Sequence, residues 1–276
     1  MKIQKVSILM TIFNHENYLK SSIKSLINQN YKNWELIAID NGSTDKSALI
    51  LKSFKDKRIK KKFLKKNIGR TECLNFGLKF CKSKFIAILD SDDISEKSRL
   101  RIQVREMNSS KNLGLVFSDF EFINEKSKIV KLPKTNFNSK KDFNVQPRQL
   151  LSKNFIPHSS IMFRSNLIKK IGNYPENFKY AQDYAFYLKI LKISKIKFIN
   201  KSLVKLRIPH QHSETFRNSS SKIITLELLK ILILNLMNFK TSFVEKLSIF
   251  FAILLNLVKC CTPSFFINLK NLIYRV

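Results

Sequence analysis

Phe85-Ile86-Ala87-Ile88-Leu89 is an unbroken apolar run, and it leads straight into Asp90-Ser91-Asp92-Asp93. A short run of this kind, bounded by polar residues, reads as a buried strand. Three carboxylates within four residues repel one another, an arrangement that makes sense if a cation sits among them. Oxygen-only ligands suit Mg²⁺ or Mn²⁺, which keep waters and bridge to phosphate oxygens of a substrate. The competing account is an acidic turn in which Asp93 or Ser95 caps the next helix. An Asp-x-Asp alone is weak evidence; its place at the end of a buried strand strengthens the cation account.

Working outward, the first half alternates strand and helix signals. Val6 to Phe13 reads as a buried strand. Asn14 is placed to cap a helix carrying Leu19, Ile23, Leu26 and Ile27 on one face. Trp34 to Ile39 reads as a second strand, ending at Asp40. Asn41-Gly42 is a turn, and Ser43 is placed to cap a helix reaching Phe54. A strand near Ile59 to Leu64 precedes Asn67-Ile68-Gly69-Arg70 and a helix to Cys81. A helix over Lys97 to Met107 and a strand over Leu113 to Phe117 complete the pattern. Such alternation predicts an α/β fold, with a mainly parallel central sheet and helices on both faces. Ligands bind beyond the carboxyl ends of strands in such sheets, so Asp40 and Asp90 are expected along one crevice. Asp40 can accept a hydrogen bond from a nucleobase N–H or a ribose hydroxyl. Taken alone, it reads better as turn chemistry.

Residues 125–153 are polar and loop-rich. After them come a strand over Ser160 to Phe163, a helix over Ser165 to Ile171 and a turn at 172–175. A helix over Gln182 to Ile193 follows, then a strand pair over Ile196 to Ile199 and Leu203 to Ile208. Asp183 opens the helix whose Phe186, Tyr187, Ile190 and Leu191 face inward. A helix N-terminus favours its charge, as a capping residue or as a base aimed into the crevice. Composition shifts near residue 220. Residues 1–220 are expected to form one catalytic domain and residues 221–276 a helical tail.

The ordered series of motifs resembles family 2 glycosyltransferases. Val6-Ser-Ile-Leu-Met-Thr-Ile-Phe-Asn14 with Tyr18-Leu19 is similar to the opening strand and helix of that family. Ser25 to Tyr31, Trp34 to Ile37, and Asp40-Asn-Gly-Ser-Thr-Asp45 follow in order. Asn67-Ile-Gly69, Asn75-Phe-Gly77 and Phe85 to Asp93 continue the likeness. Pro157-His-Ser-Ser-Ile-Met-Phe-Arg164 and Gln182-Asp183-Tyr184 resemble acceptor-side motifs. The resemblance covers residues 5–210 and rests on the whole series rather than on one motif.

The resemblance implies a GT-A fold, Rossmann-like, and inverting transfer from a nucleoside-diphosphate sugar. By that likeness Asp40 lies near the nucleotide base, with Thr11, Phe13 and Asn14 beside it and Asn41 in the same turn. Asp90, Ser91 and Asp92 form the Asp-x-Asp, with Asp92 the expected metal ligand and Asp90 toward the ribose. Asp183 corresponds to the general base. Asn41 stands where Asp is frequent, Gln182 where Glu is usual and Thr11 where Pro is common. Arg70 sits at a helix start beside the crevice, as a nucleotide contact or a solvated arginine. His158 and Gln182 are expected on the acceptor side. His210 or His212 is a further metal candidate, although an isolated histidine is usually not a ligand.

The chain has 276 residues, Lys and Arg total 51 against 20 Asp and Glu, and the formal charge is +31. The basic residues read as scattered, so compositional drift and attraction to an anionic membrane precede nucleic-acid binding. A nucleic-acid binder requires a basic stripe and recognisable binding elements, and neither is evident. The tail is rich in Leu, Ile and Phe, and Lys222, Lys230, Lys240, Lys246, Lys259, Lys270 and Arg275 outnumber Glu227 and Glu245. It reads equally as a basic amphipathic surface for an anionic membrane and as a docking face for the catalytic domain or a second subunit in a homo-oligomer. Cys73, Cys81, Cys260 and Cys261 show no disulfide or zinc spacing, so reduced thiols and a cytoplasmic setting are expected. Val6 to Phe13 is too short for a signal peptide, and Leu247 to Val258 falls short of a membrane span. The expected function is sugar transfer to a glycan or lipid-linked acceptor in cell-surface polysaccharide or lipopolysaccharide synthesis, at the inner membrane face. The alternative is a non-catalytic sugar-nucleotide or glycan-binding protein of the same fold, which Asp90, Asp92 and Asp183 argue against.

Overall fold

Val6–Ile12 forms β1, an interior strand whose residues are buried apart from half-exposed Thr11. The structure is a computed structural model that describes residues 4–131, 141–208, 222–239 and 242–261. The other strands are β2 Trp34–Asp40, β3 Ile59–Phe63, β4 Phe85–Ile88, β5 Ile94–Ser95, β6 Leu113–Ile123, β7 Ile129–Val130, β8 Phe143–Asn144, β9 Met162–Arg164 and β10 Lys195–Arg207. Among the described residues they form one sheet ordered β3-β2-β1-β4-β9-β6-β10-β5, with β7 on β6 and β8 on β10. The run β3-β2-β1-β4 is parallel. The short strand β9 then enters antiparallel between β4 and β6, and β6 and β10 run parallel.

The helices are α1 Leu19–Ile27, α2 Ser47–Ser53, α3 Arg70–Leu78, α4 Arg99–Ser109, α5 Pro147–Leu151, α6 Asn166–Ile171, α7 Gln182–Leu191, α8 Lys222–Asn238 and α9 Phe243–Cys261. Alternation of side chains along β1 assigns them to two faces. Val6, Ile8, Met10 and Ile12 share a core with Leu19, Ile23 and Leu26 of α1 and Leu100, Val104 and Met107 of α4. Leu9 points the other way, toward α3. A Cβ on Gly77 would lie 2.3 Å from Leu9 Cδ1 and 3.3 Å from Ile39 Cγ1, so glycine is what lets α3 settle on that face. The arrangement is the expected α/β fold, with a parallel run of strands at its centre.

Three local expectations change. Asn14 does not cap a helix: α1 begins at Leu19 after Tyr18, and Asn14 takes φ 55°, the left-handed region that a short polar side chain tolerates. The second helix starts at Ser47, not after Ser43. The expected strand pair at 196–208 is a single strand, β10, whose register against β6 shifts between Ile199 and Ser202. Asn200-Lys201, between the two expected strands, is a bulge in the ladder, with the Asn200 N–H donating to Asp142 Oδ1 at 2.8 Å.

Nor are the basic residues as scattered as composition implied. Eight of them fall within residues 55–66, on and around edge strand β3. Lysines on an exposed edge block pairing with another sheet.

The chain divides into two compact units. The first comprises the described residues within Met1–Val145 and Phe155–Ile208 and holds the sheet. The second joins Gln146–Asn154 to the described part of Pro209–Val276. Residues 146–154, expected to be loop, include α5, whose first turn is closed by a Gln146/Gln149 capping box. Within this unit α5 and α8 pack on α9, and Asn235 Nδ2 donates to the Leu151 carbonyl at 2.8 Å. Leu229, Leu232 and Ile249 are buried, whereas Leu226, Ile233, Leu234, Met237, Phe250 and Leu254 are exposed. No helix among the described residues is long and apolar enough to cross a membrane.

Candidate active site

The carboxyl ends of β1, β2 and β4 meet at one edge of the sheet. Register places Ile12 of β1 opposite Asp40 of β2, and the Asn41 N–H closes the junction on the Ile12 carbonyl at 2.8 Å. Thr11, Phe13 and Asn14 therefore lie beside Asp40. Asp40 is 3% exposed. Its Oδ2 accepts the Ser43 N–H at 3.2 Å, while Oδ1 is buried with no hydrogen-bond partner among the described residues. Asn14 Oδ1 accepts the Thr44 N–H at 2.9 Å and ties the two strand-end loops together. Asn41 turns inward: Nδ2 donates to Asn67 Oδ1 at 3.0 Å and Gly69 O at 3.2 Å, and Oδ1 accepts the Ile68 N–H at 3.1 Å. Gly42, at φ 70°, lets this turn press on the backbone at Lys66, where a Cβ would lie 2.4 Å from a carbonyl carbon.

The three carboxylates after β4 go to three different environments. Asp90 meets Arg70, whose Nη2 donates to Oδ1 at 2.8 Å and Oδ2 at 2.9 Å. Burial alone would raise its pKa, but Arg70 and His158 outweigh that and hold it well below the usual carboxylate range. Asp92 is half-buried, and its carboxylate accepts no hydrogen bond among the described residues. Asp93 is buried and caps no helix. Its Oδ1 accepts the Arg207 N–H at 2.8 Å and its Oδ2 accepts the Ser159 hydroxyl at 2.5 Å. Burial, then the charges of Asp92 and Asp90, push the Asp93 pKa well up. Ser159 Oγ in turn accepts the Asp90 N–H at 3.0 Å, so one hydroxyl fixes both ends of the motif. Ser91 is buried, with Oγ 2.6 Å from His15 Nδ1.

His158 is buried behind Asp90, with Nδ1 3.3 Å from Arg70 Nη2 and Nε2 3.0 Å from the Tyr174 hydroxyl. Helix α3 holds the next segment. Asn75 exchanges hydrogen bonds with the Tyr174 backbone at 2.9 and 3.0 Å, and Thr71 Oγ1 donates to Phe178 O at 3.0 Å. That segment leads into α7, where Asp183 stands in the first turn and its Oδ1 accepts the Tyr184 N–H at 2.7 Å. The Asp183 charge acts on Arg70, Tyr174 and Tyr187, which puts it on the same side of the molecule as Asp90. Gln182 is 3% exposed, and its amide, turned to satisfy both groups, donates to the carbonyls of Tyr180 and Lys179 at 3.0 and 3.1 Å. It braces the approach to Asp183 from behind.

The fold thus gathers Thr11, Phe13, Asn14, Asp40, Arg70, Asp90, Asp92, His158 and Asp183 around the strand ends. Asn41 and Gln182 adjoin them with their amides engaged elsewhere. His210 and His212 lie outside the described residues. Sequence reasoning missed His15, Ser159 and Arg99. Arg99 is fully buried under the motif and donates to the Ile88 and Ile161 carbonyls at 2.8 and 3.0 Å, while burial pulls its pKa down to about 9. A lone arginine in a helix gave no signal that it would point inward.

Residues 7–172 match the model of the family described as Glycosyl transferase family 2. The chain is 32% identical over 271 residues to an uncharacterized glycosyltransferase of Methanocaldococcus jannaschii, covering 96% of this chain and 91% of that one. It is 30% identical over 197 residues to the Escherichia coli UDP-Glc:alpha-D-GlcNAc-diphosphoundecaprenol beta-1,3-glucosyltransferase WfgD, covering 71% of this chain and 73% of the relative. Its fold matches Staphylococcus aureus TarS 1-349, solved in complex with UDP-GlcNAc, with TM-score 0.72 and 21% identity over 91% of this chain and 72% of TarS 1-349.

Proposed function

The chain belongs to glycosyl transferase family 2 and is a glycosyltransferase, and from that premise we propose that it moves a hexose or N-acetylhexosamine from a UDP-sugar to a hydroxyl of a glycan or lipid-linked acceptor, inverting the anomeric carbon. The observation that carries this reading is the buried, unpartnered Oδ1 of Asp40 across the strand ends from Asp90 and Asp92. A buried acceptor without a donor costs free energy, and a nucleobase N–H meets that need. The relatives' names agree: WfgD takes UDP-Glc, and TarS was crystallised with UDP-GlcNAc.

Single displacement at an anomeric carbon requires a base for the acceptor proton and a neutralised leaving diphosphate. Asp183, anionic at a helix N-terminus and braced by the Tyr184 N–H, is the base. The Asp92 carboxylate, uncommitted among the described residues, is an oxygen donor suited to Mg²⁺ or Mn²⁺, which fills its other positions with water and diphosphate oxygens. When bound, that ion supplies the positive charge the leaving diphosphate needs. Thr11, Phe13 and Asn14 flank the base beside Asp40, Ser91 and Asp90 lie toward the ribose, and His158 backs the acceptor side.

The second unit's exposed Leu and Phe side chains, with Lys230 and Lys246 nearby, suit the surface of an anionic membrane. A lipid-linked acceptor would be presented there; the acceptor that WfgD's name gives is an alpha-D-GlcNAc-diphosphoundecaprenol. On this reading the enzyme works at the cytoplasmic face, in cell-surface polysaccharide or lipopolysaccharide synthesis. The test is release of UDP from a panel of UDP-sugars with Mn²⁺ and with EDTA. Turnover of one sugar that requires the ion supports the proposal; no turnover of any nucleotide sugar sinks it.

A further inference from the structure

Two arginines stand at the carboxylate cluster, and they are used differently. Arg207 is saturated. Its Nε donates to Asp92 O at 2.9 Å, its Nη1 to the Asn124 and Glu125 carbonyls and its Nη2 to Ser127 Oγ at 3.0 Å, with the guanidinium stacked 4.3 Å over Tyr18. Arg70 is committed through one nitrogen only. Its Nη2 takes both Asp90 oxygens and lies against His158 Nδ1, while Nε and Nη1 have no partner among the described residues. Its side chain is 45% exposed, so a ligand can reach it from solvent. His158 is itself pinned by Tyr174, which fixes the side of the guanidinium that faces in. The Asp90, Asp183 and Asp92 charges all stabilise this cation, so it stands within reach of the electrostatic field of the proposed base and of the proposed metal ligand.

A crevice with Asp40, Asp90, Asp92 and Asp183 repels a diphosphate unless cations answer it. We propose that Arg70 is the protein's own diphosphate-binding cation: Nη2 stays on Asp90, and the N–H groups of Nη1 and Nε, each on its own side of the guanidinium, donate to oxygens of the donor's diphosphate and of the departing one. A guanidinium held by a carboxylate through one nitrogen keeps its charge and N–H donors on the other two, and charge-assisted hydrogen bonds to phosphate are the strong ones. Arg70 thus shares the leaving-group charge with the divalent ion, and anchors the diphosphate to the same carboxylate that faces the ribose. The inference rests on the nucleotide-sugar reading above.

Calorimetric titration with UDP, uridine and Mn²⁺-pyrophosphate separates the two. Against wild type, Arg70→Gln is expected to lose about ten-fold or more in UDP and pyrophosphate affinity while uridine affinity stays within about two-fold. Arg70→Lys, which keeps the charge but cannot hold Asp90 and a phosphate on separate nitrogens, recovers part of the loss. Equal weakening of uridine and UDP, or no weakening of either, overturns the proposal. If wild type fails to bind uridine, the nucleotide reading fails, and the pyrophosphate arm still judges Arg70. Loss of pyrophosphate binding in Arg70→Gln then supports it, and unchanged or absent binding in wild type overturns it. Thermal melting of each variant confirms that the comparison is between folded proteins.

Discussion

Asp40 and Ser43 are joined by one hydrogen bond, from the Ser43 N–H to Asp40 Oδ2 at 3.2 Å, and it leaves the other carboxylate oxygen buried and unanswered among the described residues. A turn built only for stability would satisfy both oxygens. Asp40→Asn is therefore expected to weaken uridine binding about ten-fold or more, since hydrogen bonds to a charged acceptor are the strong ones. The melting temperature of the free protein should hold or rise, because a buried, half-satisfied charge is removed. A fall in stability with unchanged uridine affinity would assign Asp40 to the turn alone.

Asp183→Asn removes the proposed base but keeps the amide oxygen that can accept the Tyr184 N–H. Transfer should fall about 10²–10⁴-fold, with donor affinity nearly unchanged. Steady-state rates beside UDP titration check this. Loss of donor binding in the variant would move Asp183 to the nucleotide side.

Burial pushes the thiols of Cys73 and Cys81 up to about 12 from the ordinary value of 9.0. Both stay protonated at pH 8, so alkylation mapped by mass spectrometry should leave these two unmodified until the protein unfolds. A folded thiol that holds its proton more tightly than the unfolded one also makes stability pH-dependent. Stability contributed by each is complete below about 9 and is lost as pH climbs toward 12. Rapid labelling of either cysteine in the folded state would contradict this burial.

Gly77→Ala places a methyl where Leu9 Cδ1 stands 2.3 Å away. Overpacking between α3 and the sheet should cost about 1–3 kcal/mol, read from the midpoint of urea unfolding. Because α3 carries Arg70 and holds Tyr174 through Asn75, donor affinity should fall as well. An unchanged midpoint would mean that α3 shifts freely on the sheet.

Phe250 and Leu254 lie one turn apart on α9 and are 56% and 46% exposed. Replacing both by serine should lower co-sedimentation with anionic liposomes about ten-fold or more, without lowering the melting temperature. Unchanged sedimentation would leave those residues to a protein partner.

Local order along the chain was legible without coordinates. Apolar runs located β1, β2 and β4, because a buried strand is written in consecutive residues. The carboxylates at their ends follow, since strand direction alone puts Asp40 and Asp90 at one edge of a parallel sheet. Asp183 was legible too, as a charge in the first turn of an inward-facing helix.

Partnerships across long separations were not legible. Arg70 and Asp90 are 20 residues apart and Ser159 and Asp93 are 66 apart, and no local pattern pairs them. The sequence by itself determined the strand–helix order, the acidic cluster and its place at a strand end, because those depend on neighbours along the chain. Only the tertiary structure decided that Asp90 is held by Arg70, that Asp92 stays open and that Asp93 is buried on Ser159 and Arg207. Desolvation and charge pairing depend on what folds back from distant segments, and they gave three adjacent carboxylates three different chemistries.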